Sequence, residues 1–348
     1  MSANRLQTIV LVTSVIALLS ACTPQSFEAV TSAGPGKTDV VDPITKKVTE
    51  VFTQDENANK VDILIINDTS MSMEVEQTKM SERFPSFVSA LGDLNYQISM
   101  TTTDIDSTDS KNTYGRGVNW TGTTSKILTP KTASASSVFK NTIRRAETVG
   151  CTVRGDCPSG NEQPLRAAML ALDQRFTANA GLFRDNVDLA VVVLSDEDEM
   201  SNGPATATKP NDVIERFKAY YGDTKRLRTF GIVVQSGDEA CRLEQLKQTS
   251  GGNGAFFGTH VEELARLTGG STNSICDADY SKSLTDISKS VRRLVGTFEL
   301  TDLPKSGTVK VTLTPVPTTP LTWKIEGKSL IFDTPPAAGT RVEIAYEP

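Results

Sequence analysis

The 348-residue sequence predicts an α/β fold: a doubly wound, mostly parallel sheet flanked by helices, followed by a small C-terminal antiparallel β module. Three observations carry that expectation. From Val61 onward, short apolar runs alternate with segments of helical period. The runs at Val61–Asn67 and Val187–Ser195 are dense in Ile, Leu and Val, as strands buried on both faces require. After Leu294 the helical period gives way to alternation of apolar and polar residues.

Taken in order, residues 1–21 carry Arg5, the apolar run Ile9 to Leu19, and small residues before Cys22. The run is too short to span a bilayer and has the layout of an export signal. Leu19-Ser20-Ala21-Cys22 reads as a bacterial lipobox, so Cys22 is the expected lipidation site and mature N-terminus. Several acyl chains hold a protein stably at a membrane where one does not. Thr23 rather than Asp follows the cysteine, which predicts an outer-membrane lipoprotein facing either the cell surface or the periplasm. Residues 22–55 are expected to be a flexible tether, since 23–50 are rich in Thr, Pro, Gly, Ser and Lys without an apolar period.

Residues 56–296 form the expected α/β domain. Strand Val61–Asn67 leads to a helix over Glu74–Leu91, which carries Met80, Phe84, Phe87, Val88 and Leu91 on one stripe. Strand Tyr96–Thr102 follows, then a polar loop or hairpin over 104–126, helices near 135–148 and 162–176, and strand Val187–Ser195. A helix near 210–221, strand Arg228–Val234 and helices near 262–267 and 280–295 complete it. Residues 297–348 alternate through Val309, Val311, Leu313, Trp323, Ile325, Leu330–Phe332, Val342, Ile344 and Tyr346, the pattern of a small β-sandwich-like unit of four or five strands. At 52 residues such a unit is marginal alone and is expected to pack on its neighbour.

Composition narrows the function. With 36 Lys and Arg against 42 Asp and Glu the net charge is −6, which argues against nucleic acid as a partner. His260 is the sole histidine, which disfavours histidine-based zinc hydrolysis, a Ser-His-Asp triad and a Cys-His dyad, and points to a non-enzymatic protein. Apart from Cys22, four cysteines allow three pairings, of which proximity and order favour Cys151–Cys157 with Cys241–Cys276; buried free thiols are the alternative.

In open α/β sheets, ligands sit at the carboxyl ends of the strands. Those ends carry Asp68, Ser70 and Ser72 after the first strand of the domain, Thr102, Thr103 and Asp104 after the next, and Asp196 after Val187–Ser195. Carboxylates and hydroxyls without His or Cys make a hard oxygen site, suited to Mg²⁺, Mn²⁺ or Ca²⁺ rather than zinc. Asp68-Thr69-Ser70-Met71-Ser72 and Leu194-Ser195-Asp196, each closing an apolar strand, resemble the von Willebrand factor type A (vWA) domain and its metal-ion-dependent adhesion site (MIDAS) over roughly residues 60–296. The resemblance implies one divalent cation, Mg²⁺ first in order, with Ser70 and Ser72 binding through their hydroxyls and Asp68 and Asp196 directly or through water.

The family's third element is a threonine before a helix. Here the matching segment Gly160-Asn161-Glu162-Gln163-Pro164-Leu165 offers Glu162. Three carboxylates around a +2 ion should tighten the metal and weaken its attraction for an external carboxylate. Glu162 either ligates in this way or caps its helix. Thr102, Thr103 and Asp104 are placed to supply hydrogen bonds around the ligands, or are ordinary strand-end polarity. Asp104, Asp106 and Asp109 lack the glycine and terminal glutamate of an EF-hand and read as solvated charges. Glu197, Asp198 and Glu199 read as surface acids near the site, His260 as a surface or packed residue, and Arg154-Gly155-Asp156 as a chance tripeptide.

The expected function is a surface-tethered adhesion or binding lipoprotein. It would engage a protein or cell-surface ligand, through a carboxylate of the partner where one is offered, and the membrane through its lipid. The alternative is a periplasm-facing scaffold of the envelope using the same site. A metal-dependent phosphohydrolase ranks behind both, because no Arg/Lys phosphate clamp or phosphate-binding glycine loop accompanies the carboxylates.

Overall fold

The computed structural model describes residues 37–41, 46–54, 59–105, 113–149, 158, 161–199, 206–248 and 254–348. Cys22, the export segment, the Cys151–Cys157 pair, Arg154-Gly155-Asp156, Asp106 and Asp109 lie outside these residues. The first described elements depart from expectation. Strands β1 (Lys37–Val41) and β2 (Val48–Thr53) pair antiparallel within the region read as tether.

The central sheet takes the next strands, β3 (Lys60–Asn67), β4 (Asn95–Thr102), β5 (Leu189–Ser195), β6 (Leu227–Val233) and β7 (Ser271–Ser274). Its order is β4-β3-β5-β6-β7, and every pair is parallel. The helices are α1 (Glu74–Leu91), α2 (Ala135–Ile143), α3 (Ala146–Val149), α4 (Pro164–Asp173), α5 (Pro210–Tyr221), α6 (Glu239–Leu246), α7 (Thr259–Leu267) and α8 (Ser281–Val295). The expected α/β class is therefore what the chain forms.

Period-two alternation divides the core into two layers. Ile63 and Ile65 of β3 and Val192 and Leu194 of β5 face a cluster with Phe84 and Phe87 of α1, Phe139 of α2 and Ile287 of α8. Leu64 and Ile66, with Val191 and Val193, face the opposite cluster with Leu165 and Leu172 of α4, Phe217 of α5 and Leu264 of α7. Phe84 stacks on Phe139 with ring centroids 3.7 Å apart, and Trp120 stacks in turn on Phe139 at 5.9 Å. The polar stretch 104–126 thus carries an indole into the core. Helix α6 and strand β7 had no strong apolar period to announce them. Among the described residues no helix is long and apolar enough to cross a membrane.

The remaining strands, β8 (Thr297–Glu299), β9 (Lys310–Thr314), β10 (Trp323–Glu326), β11 (Ser329–Phe332) and β12 (Arg341–Tyr346), build two antiparallel sheets. Their orders are β1-β2-β12-β9 and β10-β11-β8. Val48, Phe298, Leu330, Phe332, Val342, Ile344 and Tyr346 make their shared core. Strand β2 lies inside the first sheet, hydrogen-bonded to β12. Its Glu50 is fully buried and accepts the Tyr346 hydroxyl and the Thr301 amide (2.9 Å). The module therefore draws residues from both sides of the α/β domain, and the expected boundaries at 22–55 and 297–348 do not hold as drawn. The expectation failed because Glu50 occupies an inward position and interrupts the apolar alternation that would mark a strand.

Candidate metal centre

Strands β3 and β5 are neighbours, and the chain leaves β3 toward β4 on its other side. The order reverses here, so their carboxyl ends border a crevice. Asp68 continues β3 by one residue, its amide donating to Leu194 O (3.0 Å). Its carboxylate is held at both oxygens: Ser70 N donates to Oδ1 (2.8 Å) and Ser195 Oγ to Oδ2 (2.6 Å). A 3₁₀ turn at Met71–Met73 then passes directly into α1 and brings Ser70 Oγ within 3.0 Å of Ser72 Oγ.

Residues that the sequence reading did not single out brace this turn. Gln77 Nε2 donates to Asp68 O (2.8 Å), Thr148 Oγ1 donates to Thr69 O (2.9 Å), and Asn67 Nδ2 donates to Ile143 O (2.9 Å). Gln77 is buried on the apolar stripe of α1. A polar side chain in that stripe is the signal that could have found it, because burial obliges it to find partners.

The other acids arrive from two further segments. Thr103, just past β4, donates its hydroxyl to Glu162 Oε2. Asp196 follows β5. Asp68, Glu162 and Asp196 are all fully buried, and Ser70 and Ser72 nearly so. Among the described residues neither oxygen of Asp196, nor Glu162 Oε1, has a hydrogen-bond partner of normal geometry, although Ser72 stands near enough to Asp196 to offset part of its shift. Burial raises Asp68 above the ordinary carboxylate range, against the pull of the Ser195 and Ser70 bonds. Burial and then the charge of Asp68 drive Glu162 and Asp196 well above it. Glu197, 5% exposed, is pushed up to about 9 by burial and by Asp68 and Asp196.

The expectation of three surface acids at 197–199 is corrected. Glu197, Asp198 and Glu199 are all buried. Asp198 accepts the His260 amide (3.0 Å), the Thr259 hydroxyl and His260 Nδ1 (2.7 Å) at the start of α7. Glu199 Oε2 accepts the amides of Leu165 (2.7 Å) and Arg166 (3.3 Å) at the start of α4. Each carboxylate satisfies amides that a helix N-terminus leaves without partners. Glu199 thus does the capping that was one reading of Glu162. The His260 ring, half-buried, pairs with Asp198. Thr102 turns to the Thr113 hydroxyl (3.0 Å) instead, and Asp104 is buried with its carbonyl accepting Thr113 N (3.2 Å).

Among the described residues no three His, Cys, Asp or Glu side chains form a ready-made metal cluster, so hydroxyls would have to join the ligand set. The donors present do suit a hard ion: buried carboxylates with unpaired oxygens, two serine hydroxyls 3.0 Å apart, and no described cation among the main influences on the acids. Elsewhere, the expected Cys241–Cys276 disulfide is formed, joining α6 to the segment after β7.

No protein-family model matches the sequence, and no curated protein matches it. Solved structures do. A von Willebrand factor type A protein from Catenulispora acidiphila is similar at TM-score 0.36 and 14% identity, over 86% of this chain and 60% of that one. The pilus adhesin SpaC from Lactobacillus rhamnosus GG, in its open conformation, is similar at TM-score 0.35 and 12% identity, over 91% of this chain and 41% of the adhesin. The human COPII-coat protein Sec24c is similar at TM-score 0.37 and 8% identity, over 86% of this chain and 41% of that one. The chain thus spans less than two thirds of the length of each.

Proposed function

We propose that this chain is an exported, membrane-tethered binding protein of vWA type, which holds one divalent cation at Asp68, Ser70, Ser72, Glu162 and Asp196 and uses that sheet edge to engage a protein or cell-surface partner. The observation that carries the reading is Asp196: fully buried beside Asp68, with the nearby Ser72 hydroxyl but no hydrogen bond of normal geometry at either carboxylate oxygen among the described residues. A buried charge in that position is costly unless a cation meets it. Asp68, fixed by Ser70 and Ser195, and the hydroxyls of Ser70 and Ser72 complete an oxygen-rich set on one loop. The cation would supply a positive centre on an otherwise acidic edge; the chain's own residues orient it and exclude water beneath it.

Lipidation at Cys22 would tether the domain to the outer membrane, and the acidic balance keeps nucleic acid outside the reading. Elemental analysis of protein purified without chelator tests the metal directly. About one equivalent of Mg²⁺, Mn²⁺ or Ca²⁺ is expected, consistent with a single hard-oxygen site. Wild-type protein that neither retains nor takes up any of the three would refute it. Protease treatment of intact cells then reads the orientation, since only a surface-facing domain is cleaved.

A further inference from the structure

The β module and the α/β domain meet over a cavity of about 250 Å³, where β3, β5 and β6 begin, away from the candidate metal centre at their carboxyl ends. Thr53 and Gln54 line it from the end of β2, and Asn186 and Asp223 from the turns before β5 and β6. Val295 and Phe298, each 7% exposed, supply its apolar share.

The cations in its wall are already engaged. Arg226 Nε and Nη2 donate to Asp188 Oδ2 (3.1 and 2.6 Å), and Nη1 donates to Thr297 O (3.1 Å). Lys225 Nζ donates to Arg184 O (2.9 Å) and lies 4.2 Å from the centre of the Tyr221 ring. Lys60 is not free either. An anion entering the cavity would have to break an existing pair, which is costly where the groups are buried.

The uncommitted groups are of another kind. Among the described residues no hydrogen bond engages the side chains of Thr53, Gln54, Asn186 or Asp223. Gln54 is only 5% exposed, and a buried carboxamide without a partner is costly. Its backbone is fixed on both sides, Gln54 N donating to Thr340 O and Gly339 N to Gln54 O (both 2.7 Å), so a loose chain does not explain the idle amide. Two carboxamides, a hydroxyl and a carboxylate offer donors and acceptors around one space. Neighbouring hydroxyls of a sugar ring both give and accept hydrogen bonds, and Val295 and Phe298 suit the ring's C–H face. The volume lies below the roughly 300–1,000 Å³ of sites for drug-sized ligands, which leaves room for one ring.

We propose that this seam binds a neutral sugar unit, free or at the end of a glycan, with Gln54 and Asp223 holding its hydroxyls from the two sides. The bound ring then bridges β2 to the turn before β6 and so joins the module to the domain. Binding here needs no cation and stands or falls apart from the metal centre.

Titration of the ¹⁵N-labelled chain in EDTA, followed by amide chemical shifts, provides the test. The probes are glucose, galactose and N-acetylglucosamine, then maltose, lactose and chitobiose, with inorganic phosphate as the anion. At least one sugar should move the amides of Thr53, Gln54, Asn186 and Asp223 saturably, while phosphate leaves them in place. A disaccharide that binds more tightly than its monosaccharide marks a glycan end as the ligand, and equal affinity marks the free sugar. Gln54→Leu and Asp223→Ala should each raise Kd about tenfold or more, in line with the loss of one hydrogen-bonding partner in a formed site. Asp223 is exposed and braces nothing, so its variant reads binding without disturbing the fold. Sugars that leave these amides unmoved, phosphate that moves them in their place, or a Kd unchanged in either variant overturns the inference.

Discussion

At the scale of single residues, the acid cluster links the site to stability. Glu197, lifted to about 9, and Glu162 and Asp196, driven well above their ordinary values, keep protons in the native state that the unfolded chain has released. The unfolded state then binds fewer protons, so stability falls as pH rises from the ordinary carboxylate range toward 9. The slope is about 1.4 kcal/mol per pH unit for each proton retained. Chelator-treated protein should accordingly melt at lower temperature at pH 8 than at pH 5.5, and saturating divalent ion should flatten that trend. A trend of the opposite sign without metal would contradict the cluster's electrostatics. The motif residues were legible because each ends an apolar run that can only be an inner strand. The burial of Glu197, Asp198 and Glu199 was not. A run of acids is usually solvated, and the amides that receive Glu199 and Asp198 lie 34 and 62 residues away in sequence.

At the scale of elements, two cross-links hold the ends of the sheet. Opposite the candidate site, Arg184 Nε donates to Asp62 Oδ1 (2.7 Å) and its Nη2 donates to Val61 O (2.8 Å) and Asn95 O (2.9 Å), gathering the starts of β3 and β4. Burial raises Asp62 to about 6 despite Arg184 and Lys225. Arg184→Met leaves that carboxylate buried without its main partner and should cost about 3–5 kcal/mol by denaturant unfolding. A loss within experimental error of zero would show that the pair is not holding the strands. Glu199→Ala removes the acceptor for two α4 amides and should cost about 0.5–2 kcal/mol, the range of lost helix caps. Reducing Cys241–Cys276, which are separated by 35 residues, should cost about 4 kcal/mol in the chain-entropy model, read as a drop in Tm with reductant. Most of these elements could be read from their periods, since β3, β5 and α1 carry the long apolar patterns. α6 and β7 could not: β7 is the polar tetrapeptide Ser-Thr-Asn-Ser, held as an edge by its neighbour β6 alone.

At the scale of the whole molecule, the chain closes on itself through the β module. Strand β2 precedes the α/β domain and pairs with β12 near the chain's last residue, and Glu50 and Tyr346 meet between them. A chain starting at residue 59 would lack β2. Its residues 297–348 should then lose the dispersed amide signals of a folded β unit in NMR while the parallel sheet persists. Retained dispersion would mean that the module folds without β2. The α/β domain carries the central claim, that a divalent cation completes the carboxyl edge of β3 and β5. Thermal unfolding of the chain from residue 23, titrated with Mg²⁺, Mn²⁺ and Ca²⁺ beside Asp68→Ala, tests it most directly. An ion that binds only the native state stabilises it by about 2.7 kcal/mol at one hundred times its Kd. The account predicts a concentration-dependent rise in Tm for wild type and none for Asp68→Ala. Wild type whose Tm is indifferent to all three ions, or a variant that rises equally, would contradict it.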